Sequence, residues 1–314
     1  MDKKLISIVV PVYNEEKNLK SLFESLSKTF ELLAEKYLYE IIFVNDGSED
    51  KSGEILEGLA SKDSRIKYLE FSRNFGKEIA LSCGIHNAKG EAIILIDADL
   101  QHPIELIPNF IEKWQNGADI VIGIREKNSQ EGIVKKTGSY FFYKIMDLIS
   151  ETKLVSGETD FRLISRNVAD EFCRFTERGR ITRGLIDWLG FKKEYIYFEA
   201  KQRELGRPGY SFLKLVRLGL SSFVSHSLFP LKLAGYLGIF ITLFAGPLGV
   251  FMFANRYFFH WMVFSGPAML AVFNLFLIGI VLICLGLIAS YIANIHLEVT
   301  NRPIYIIRKK KNID

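Results

Sequence analysis

The chain has 314 residues, enough for one soluble domain of about 100–200 residues and a further segment. Its net charge of +4 is unevenly spread: seven Lys and Arg against two Asp and Glu follow His226, an excess of +5, and everything before carries −1. That distribution excludes a nucleic-acid-binding domain, whose basic face would lie on the soluble part, and three widely separated cysteines, Cys83, Cys173 and Cys284, exclude a disulfide framework or a cysteine metal site.

Leu5–Val10 reads as a first strand and Lys17–Ala34 as a first helix. Short β-rich runs follow at Glu40–Val44, Ile66–Glu70, Ala92–Ile96, Ile120–Ile122 and Phe161–Ile164, with helices predicted over Ser52–Ala60, Lys77–Asn87 and Ile104–Trp114. Strand–helix alternation predicts an α/β fold with a mostly parallel, doubly wound sheet. Ligands of such sheets bind beyond the carboxyl ends of the strands. Polar clusters fall at those ends: Tyr13-Asn14-Glu15, Asn45-Asp46-Gly47-Ser48 and Asp97-Ala98-Asp99.

Ile133–Ile149 and Ser211–Ser225 are predicted amphipathic helices. We place both at a bilayer surface, where their Lys and Arg residues meet anionic headgroups. Leu233–Asn255 and Tyr257–Leu297 contain no charged residue, and each exceeds the ~18 apolar residues that suggest a membrane span. The expected spans are Leu233–Ala254 and Ala268–Ile295. Arg308–Lys311 is a basic run, and the positive-inside rule then puts both termini and the globular part in the cytoplasm. The predicted organisation is a catalytic domain over 1–210, a juxtamembrane helix over 211–228, a two-helix hairpin over 229–297 and a basic tail over 298–314.

Asp97-Ala98-Asp99-Leu100-Gln101-His102-Pro103 follows the most apolar strand. Two carboxylates one residue apart at a strand end can share Mg²⁺ or Mn²⁺ with a diphosphate, because such ions take oxygen ligands and leave positions open for phosphate. Alone, the same residues also fit a turn before Pro103.

With Val10-Pro11-Val12-Tyr13-Asn14-Glu15-Glu16, Val44-Asn45-Asp46-Gly47-Ser48, Ser72-Arg73-Asn74-Phe75-Gly76-Lys77-Glu78 and Ser156-Gly157-Glu158-Thr159-Asp160-Phe161-Arg162-Leu163, the chain resembles the GT-A-fold glycosyltransferases of family 2. Within them it resembles the polyprenyl-phosphate hexosyltransferases, including the bactoprenol glucosyltransferases and dolichyl-phosphate mannose synthase. The resemblance implies an integral protein of the bacterial plasma membrane. It implies a nucleotide-sugar donor, UDP-glucose first, and a polyprenyl phosphate acceptor such as undecaprenyl phosphate, and it allows a tetramer.

The resemblance also assigns roles. Pro11, Tyr13, Glu15, Val44 and Asp46 match the nucleotide pocket, joined by Asp97, Ala98 and Arg203 on the nucleotide-sugar. Asp97, Asp99 and Gln101 match the metal site. Arg125, Lys135 and Ser139 match the lipid-phosphate site, and Asp160, Asp99 and Arg125 the catalytic set. Asp160 is either a base beside the acceptor or a positioning carboxylate. Two alternatives stand beside this reading: a processive polysaccharide synthase, whose Gln-x-x-Arg-Trp element Thr182–Trp188 does not match, and an inactive membrane-bound nucleotide-sugar-binding protein.

Overall fold

The computed structural model describes residues 3–125, 157–198 and 301–313, with scattered positions between 258 and 300. Two compact units divide the chain, Met1–Arg207 with Arg302–Asp314, and Pro208–Asn301. In the second unit the described positions from Pro267 to Val299 are helical. Among the described residues no helix is long and apolar enough to cross a membrane. The predicted amphipathic helices lie outside the described residues, as do the first predicted span and most of the second.

The first unit is built on one eight-stranded sheet. Its strands are β1 (Lys4–Val12), β2 (Tyr37–Asn45), β3 (Ile66–Phe71), β4 (Ala92–Leu95), β5 (Ile120–Arg125), β6 (Glu158–Ser165), β7 (Lys193–Phe198) and β8 (Ile307–Lys311), in the order β7-β5-β6-β4-β1-β2-β3-β8. Ile6 and Ile8 of β1 belong to the core on one face of the sheet and Val9 to the core on the other, as a fully covered central strand requires. Helices α1 (Leu19–Leu33), α2 (Ser52–Lys62) and α4 (Ile107–Gln115) fill one face with Leu22, Leu26, Phe30, Leu56 and Phe110. Helices α3 (Lys77–Asn87), α5 (Arg166–Cys173) and α6 (Thr182–Trp188) fill the other with Leu81, Ile85, Val168, Phe172 and Ile186. Both apolar faces are therefore closed by helices, the α/β arrangement expected.

Pairings β1–β2, β1–β4, β2–β3 and β5–β7 are parallel, and β4–β6, β5–β6 and β3–β8 are antiparallel. The antiparallel β6 matters most. Running against β4 and β5, it brings its amino-terminal end to the edge where their carboxyl ends lie.

One expectation is corrected. The basic tail expected over 298–314 is, from Arg302 onward, part of the first unit, and Ile307–Lys311 is an edge strand on β3. Charge alone concealed this. Lys309 pairs with Glu57 (3.2 Å) and Arg308 with Glu70 (3.7 Å), while Asn312 donates through Nδ2 to the carbonyls of Ala60 (2.7 Å) and Ile66 (2.8 Å). Tyr305 stacks on Phe71 with ring centroids 5.2 Å apart. The strand thus covers the open backbone groups of β3, which a sheet edge otherwise presents to other chains.

Candidate active site

Two loops are laced together at the ends of β1 and β2. Asn14 adopts a left-handed backbone (φ 56°), a conformation that asparagine tolerates better than most residues. Its N–H donates to Ser48 Oγ (3.0 Å) and its Oδ1 accepts from the Glu49 N–H (2.8 Å). The Glu15 N–H donates to Ser52 Oγ (3.0 Å) and the Glu16 N–H to Asp50 Oδ2 (3.1 Å). Gly47 (φ 69°) lets Arg73 pass close by: a Cβ there would lie 2.5 Å from the Arg73 carbonyl carbon. Only glycine meets both demands.

Tyr13 stands exposed at this rim, available for ring stacking, while Pro11 and Val44 are buried beneath it. Asp46 is also buried, and its two oxygens accept from the Phe75 N–H (2.6 Å) and the Gly76 N–H (2.9 Å). Burial pushes its carboxyl above the usual range, against those two N–H groups. Asp46 therefore does something its sequence context did not show: it clasps the β3–α3 loop to the end of β2.

A second cluster of polar side chains lies at the ends of β4, β5 and β6. The β4–β6 register pairs Leu95 with Arg162, so two residues further along Asp97 comes opposite Asp160. A register shift between Ile122 and Ile124 of β5 leaves extra residues of β6 around Thr159–Phe161. Such bulges re-aim side chains. Here Thr159 Oγ1 donates to the Gly123 carbonyl (2.8 Å) and the Asp160 carboxylate enters the cleft. Asp160 accordingly lies within β6, not before the strand predicted at Phe161.

Asp97, Asp99, Gln101, Arg125 and Asp160 line one cleft of about 170 Å³. His102, Thr159, Arg183 and Phe198 complete its wall. Ala98 is buried behind the acidic turn. The turn itself is held by the Gln101 N–H donating to Asp99 Oδ1 (3.2 Å). Of the predicted site residues, Lys135, Ser139 and Arg203 lie outside the described residues.

Sequence reasoning gave no role to the cations that hold these carboxylates. Lys77, the first residue of α3, places Nζ 2.6 Å from Asp97 Oδ1 and 2.6 Å from Asp160 Oδ2. Arg183 Nε lies 3.1 Å from the other oxygen, Asp160 Oδ1. Glu78 Oε2 accepts from the Thr182 N–H (2.8 Å), tying the start of α6, and so Arg183, to α3. His102 Nε2 is 3.3 Å from Asp97 Oδ2.

Burial opposes the charges of this cluster, but mutual attraction prevails. The His102 hydrogen bond and the Lys77 charge hold the Asp97 carboxyl well below the usual carboxylate range, and Lys77 and Arg183 do the same for Asp160. In return, the two carboxylates raise the Lys77 pKa despite burial. Lys77 stood within the Ser72–Glu78 motif, but its partners lie twenty and eighty-three residues away, a distance only the sheet register closes.

Among the described residues no three His, Cys, Asp or Glu side chains gather to hold an ion. Asp97 and Asp99 still fit Mg²⁺ or Mn²⁺ in the manner such ions take with nucleotides, through one or two carboxylates, with phosphate and water supplying the rest. An all-protein cage is not what this cleft offers.

The sequence pattern of Glycosyl transferase family 2 matches residues 7–173. Curated relatives match almost end to end. An uncharacterized glycosyltransferase, YkcC, of Bacillus subtilis is 39% identical over 98% of this chain and 94% of its own. The SfII prophage-derived bactoprenol glucosyl transferase of Shigella flexneri is 40% identical over 97% of each chain. The prophage bactoprenol glucosyl transferase homolog of Escherichia coli K12 is 39% identical over 98% of this chain and 99% of its own. With its acidic turn facing Asp160 and Arg125 across one cleft, the chain belongs to glycosyltransferase family 2 and is a glycosyltransferase.

Proposed function

We propose that this glycosyltransferase moves glucose from UDP-glucose to a polyprenyl phosphate, undecaprenyl phosphate first, at the cytoplasmic face of the membrane. The full-length similarity to bactoprenol glucosyl transferases supports the lipid acceptor and the glucose. The observation that carries the chemistry is the cleft in which Asp97, Asp99, Arg125 and Asp160 converge.

The lipid phosphate supplies its own nucleophile. A phosphate monoester has a second pKa of about 6, so it is largely dianionic near neutrality. Its oxygen attacks the anomeric carbon, the new C–O bond forms as the bond to the nucleoside diphosphate breaks, and the configuration inverts. Tyr13 stacks on the base, with Glu15 beside it. Arg125 meets phosphate at the reacting end, with Lys135 and Ser139 on the lipid phosphate and Arg203 on the leaving diphosphate. Such preorganised charge contributes most where charge develops. Mg²⁺ or Mn²⁺, held by Asp97 and Asp99 with Gln101 beside them, would neutralise diphosphate charge.

Asp160 is the positioning carboxylate rather than the base. Two cations hold it ionised and low in basicity, which is the wrong tuning for taking a proton near neutral pH. It fits a hydrogen-bond acceptor for a sugar hydroxyl.

The second unit supports the membrane reading. Leu270, Val281, Ile288 and Ile295, each at a helical position of that unit, are large, apolar and exposed. The test is a panel of radiolabelled nucleotide-sugars with undecaprenyl phosphate, reading label in the organic phase. UDP-glucose should label the lipid in a single round. Label in a growing polymer, or none from UDP-glucose, would contradict the reading.

A further inference from the structure

Lys77 occupies a position that the mechanism above does not explain. Its ammonium sits between the Asp97 and Asp160 carboxylates at 2.6 Å from each, and both carboxylates line the cleft assigned to the metal and the diphosphate. It is also the first residue of a helix, where the backbone dipole disfavours a positive charge. The two carboxylates outweigh that cost. Asp97 is further engaged by His102 at 3.3 Å and Asp160 by Arg183 at 3.1 Å, so each carboxylate has two partners.

We propose that Lys77 is a resident counter-cation, a positioning residue that occupies the metal's side of Asp97 until a nucleoside diphosphate arrives and so makes cation binding depend on the nucleotide. The inference rests on the metal reading of Asp97 and Asp99. Its chemistry is charge balance. With Lys77 on Asp97 Oδ1, a divalent cation reaching Asp97 and Asp99 meets a carboxylate already neutralised and an ammonium a few ångströms away. Like charges that close repel even through water. When the diphosphate enters with its own negative charge, Lys77 has a new acceptor, and the cation meets phosphate oxygens instead of a bare ammonium. The metal and the nucleotide then bind as a pair, which keeps free Mg²⁺ from occupying the cleft alone.

The experiment reads Mn²⁺ binding by electron paramagnetic resonance on the purified full-length protein, with no acceptor and no turnover. Wild type is compared with Lys77→Met, which keeps the length of the side chain and removes the charge, and with Lys77→Arg, which keeps the charge. Each is titrated with Mn²⁺ alone and with Mn²⁺ plus UDP, and thermal unfolding verifies that each is folded. Without nucleotide, Lys77→Met should bind Mn²⁺ about tenfold more tightly than wild type, a change of the size expected from removing one charge beside a divalent ion in a solvated cleft. Lys77→Arg should stay close to wild type. UDP should tighten Mn²⁺ binding strongly in wild type and Lys77→Arg, and much less in Lys77→Met. Equal Mn²⁺ affinities for wild type and Lys77→Met without nucleotide, alongside normal tightening by UDP, would overturn the role of Lys77 and leave the metal site standing. No Mn²⁺ binding to wild type even with UDP would overturn both.

Discussion

At the scale of single residues, two carboxylates of the cleft, Asp97 and Asp160, are each paired with positively charged or hydrogen-bonding side chains. Asp99 is proposed to hold the metal, and it is the carboxylate farthest from Lys77 in role. Asp99→Ala should lower transfer by at least about a hundredfold, the range expected when an electrostatic contact to the reacting groups is lost, while the protein stays folded and membrane-bound. EDTA should abolish transfer in wild type, and Mg²⁺ or Mn²⁺ should restore it. Full activity of Asp99→Ala would remove the assignment.

Asp160 gives a pH-dependent test at the same scale. Its folded-state pKa is depressed, so the stability from its pairs with Lys77 and Arg183 is present above the ordinary carboxylate pKa and is lost as pH falls through the folded value. Across the working range near neutrality it stays ionised. Asp160→Asn should therefore slow transfer by a similar factor from pH 6 to pH 9, because ionising the acceptor does not restore a positioning contact. The ratio of wild-type to variant rates, taken with donor and lipid saturating, provides the check. A defect confined to acidic pH would make Asp160 a base.

At the scale of elements, most of the parallel part of the fold was legible in the sequence. The helix predicted over Lys77–Asn87 has those bounds, and Ala92–Ile96 and Ile120–Ile122 lie at β4 and β5, because uninterrupted apolar runs between polar turns leave little choice. The sequence reading set no bounds for β7, and two further strands were read differently. Glu158–Asp160 carries two acidic residues and a threonine, a poor strand signal, and joins β6 because β5 runs on beside it and pairs Ile124 with Glu158. Ile307–Lys311 is mostly basic and reads as a tail; it is a strand because one neighbour, β3, offers a backbone edge and acidic residues beside it. The residues of the site were mostly visible as motifs, but Lys77, Arg183 and His102 were not given partners. Contacts across the sheet depend on the register, and no local pattern encodes it.

The edge strand permits a ranking. Asn312→Ala removes donation to the Ala60 and Ile66 carbonyls and should cost about 1–2 kcal/mol, the net worth of one or two hydrogen bonds. Lys309→Ala breaks one exposed ion pair with Glu57 and should cost less than about 1 kcal/mol. Thermal unfolding of the full chain in detergent would show the larger drop for Asn312→Ala; the reverse order would mean that β8 is held by charge rather than by its backbone and its Asn312 lock.

At the scale of the whole molecule, β1 and β8 belong to one sheet, so the two ends of the chain lie on one side of any bilayer. If the segment between residues 199 and 301 crosses a membrane, it crosses an even number of times, and the proposed hairpin has a direct test. Cysteine probes near either end should react only from inside the cell, and a probe within Asn255–Gly266 only from outside. Labelling of that loop from inside would remove the hairpin.

The proposed transfer is a single in-line displacement, with the lipid phosphate as nucleophile and no covalent intermediate on the protein. The configuration of the product distinguishes it from a double displacement. UDP-glucose carries the α-linkage, so nuclear magnetic resonance of the polyprenyl-phosphate glucose recovered after brief reaction should show the β-anomer. An α-linked product would require two displacements and a nucleophile on the protein, and would contradict the account.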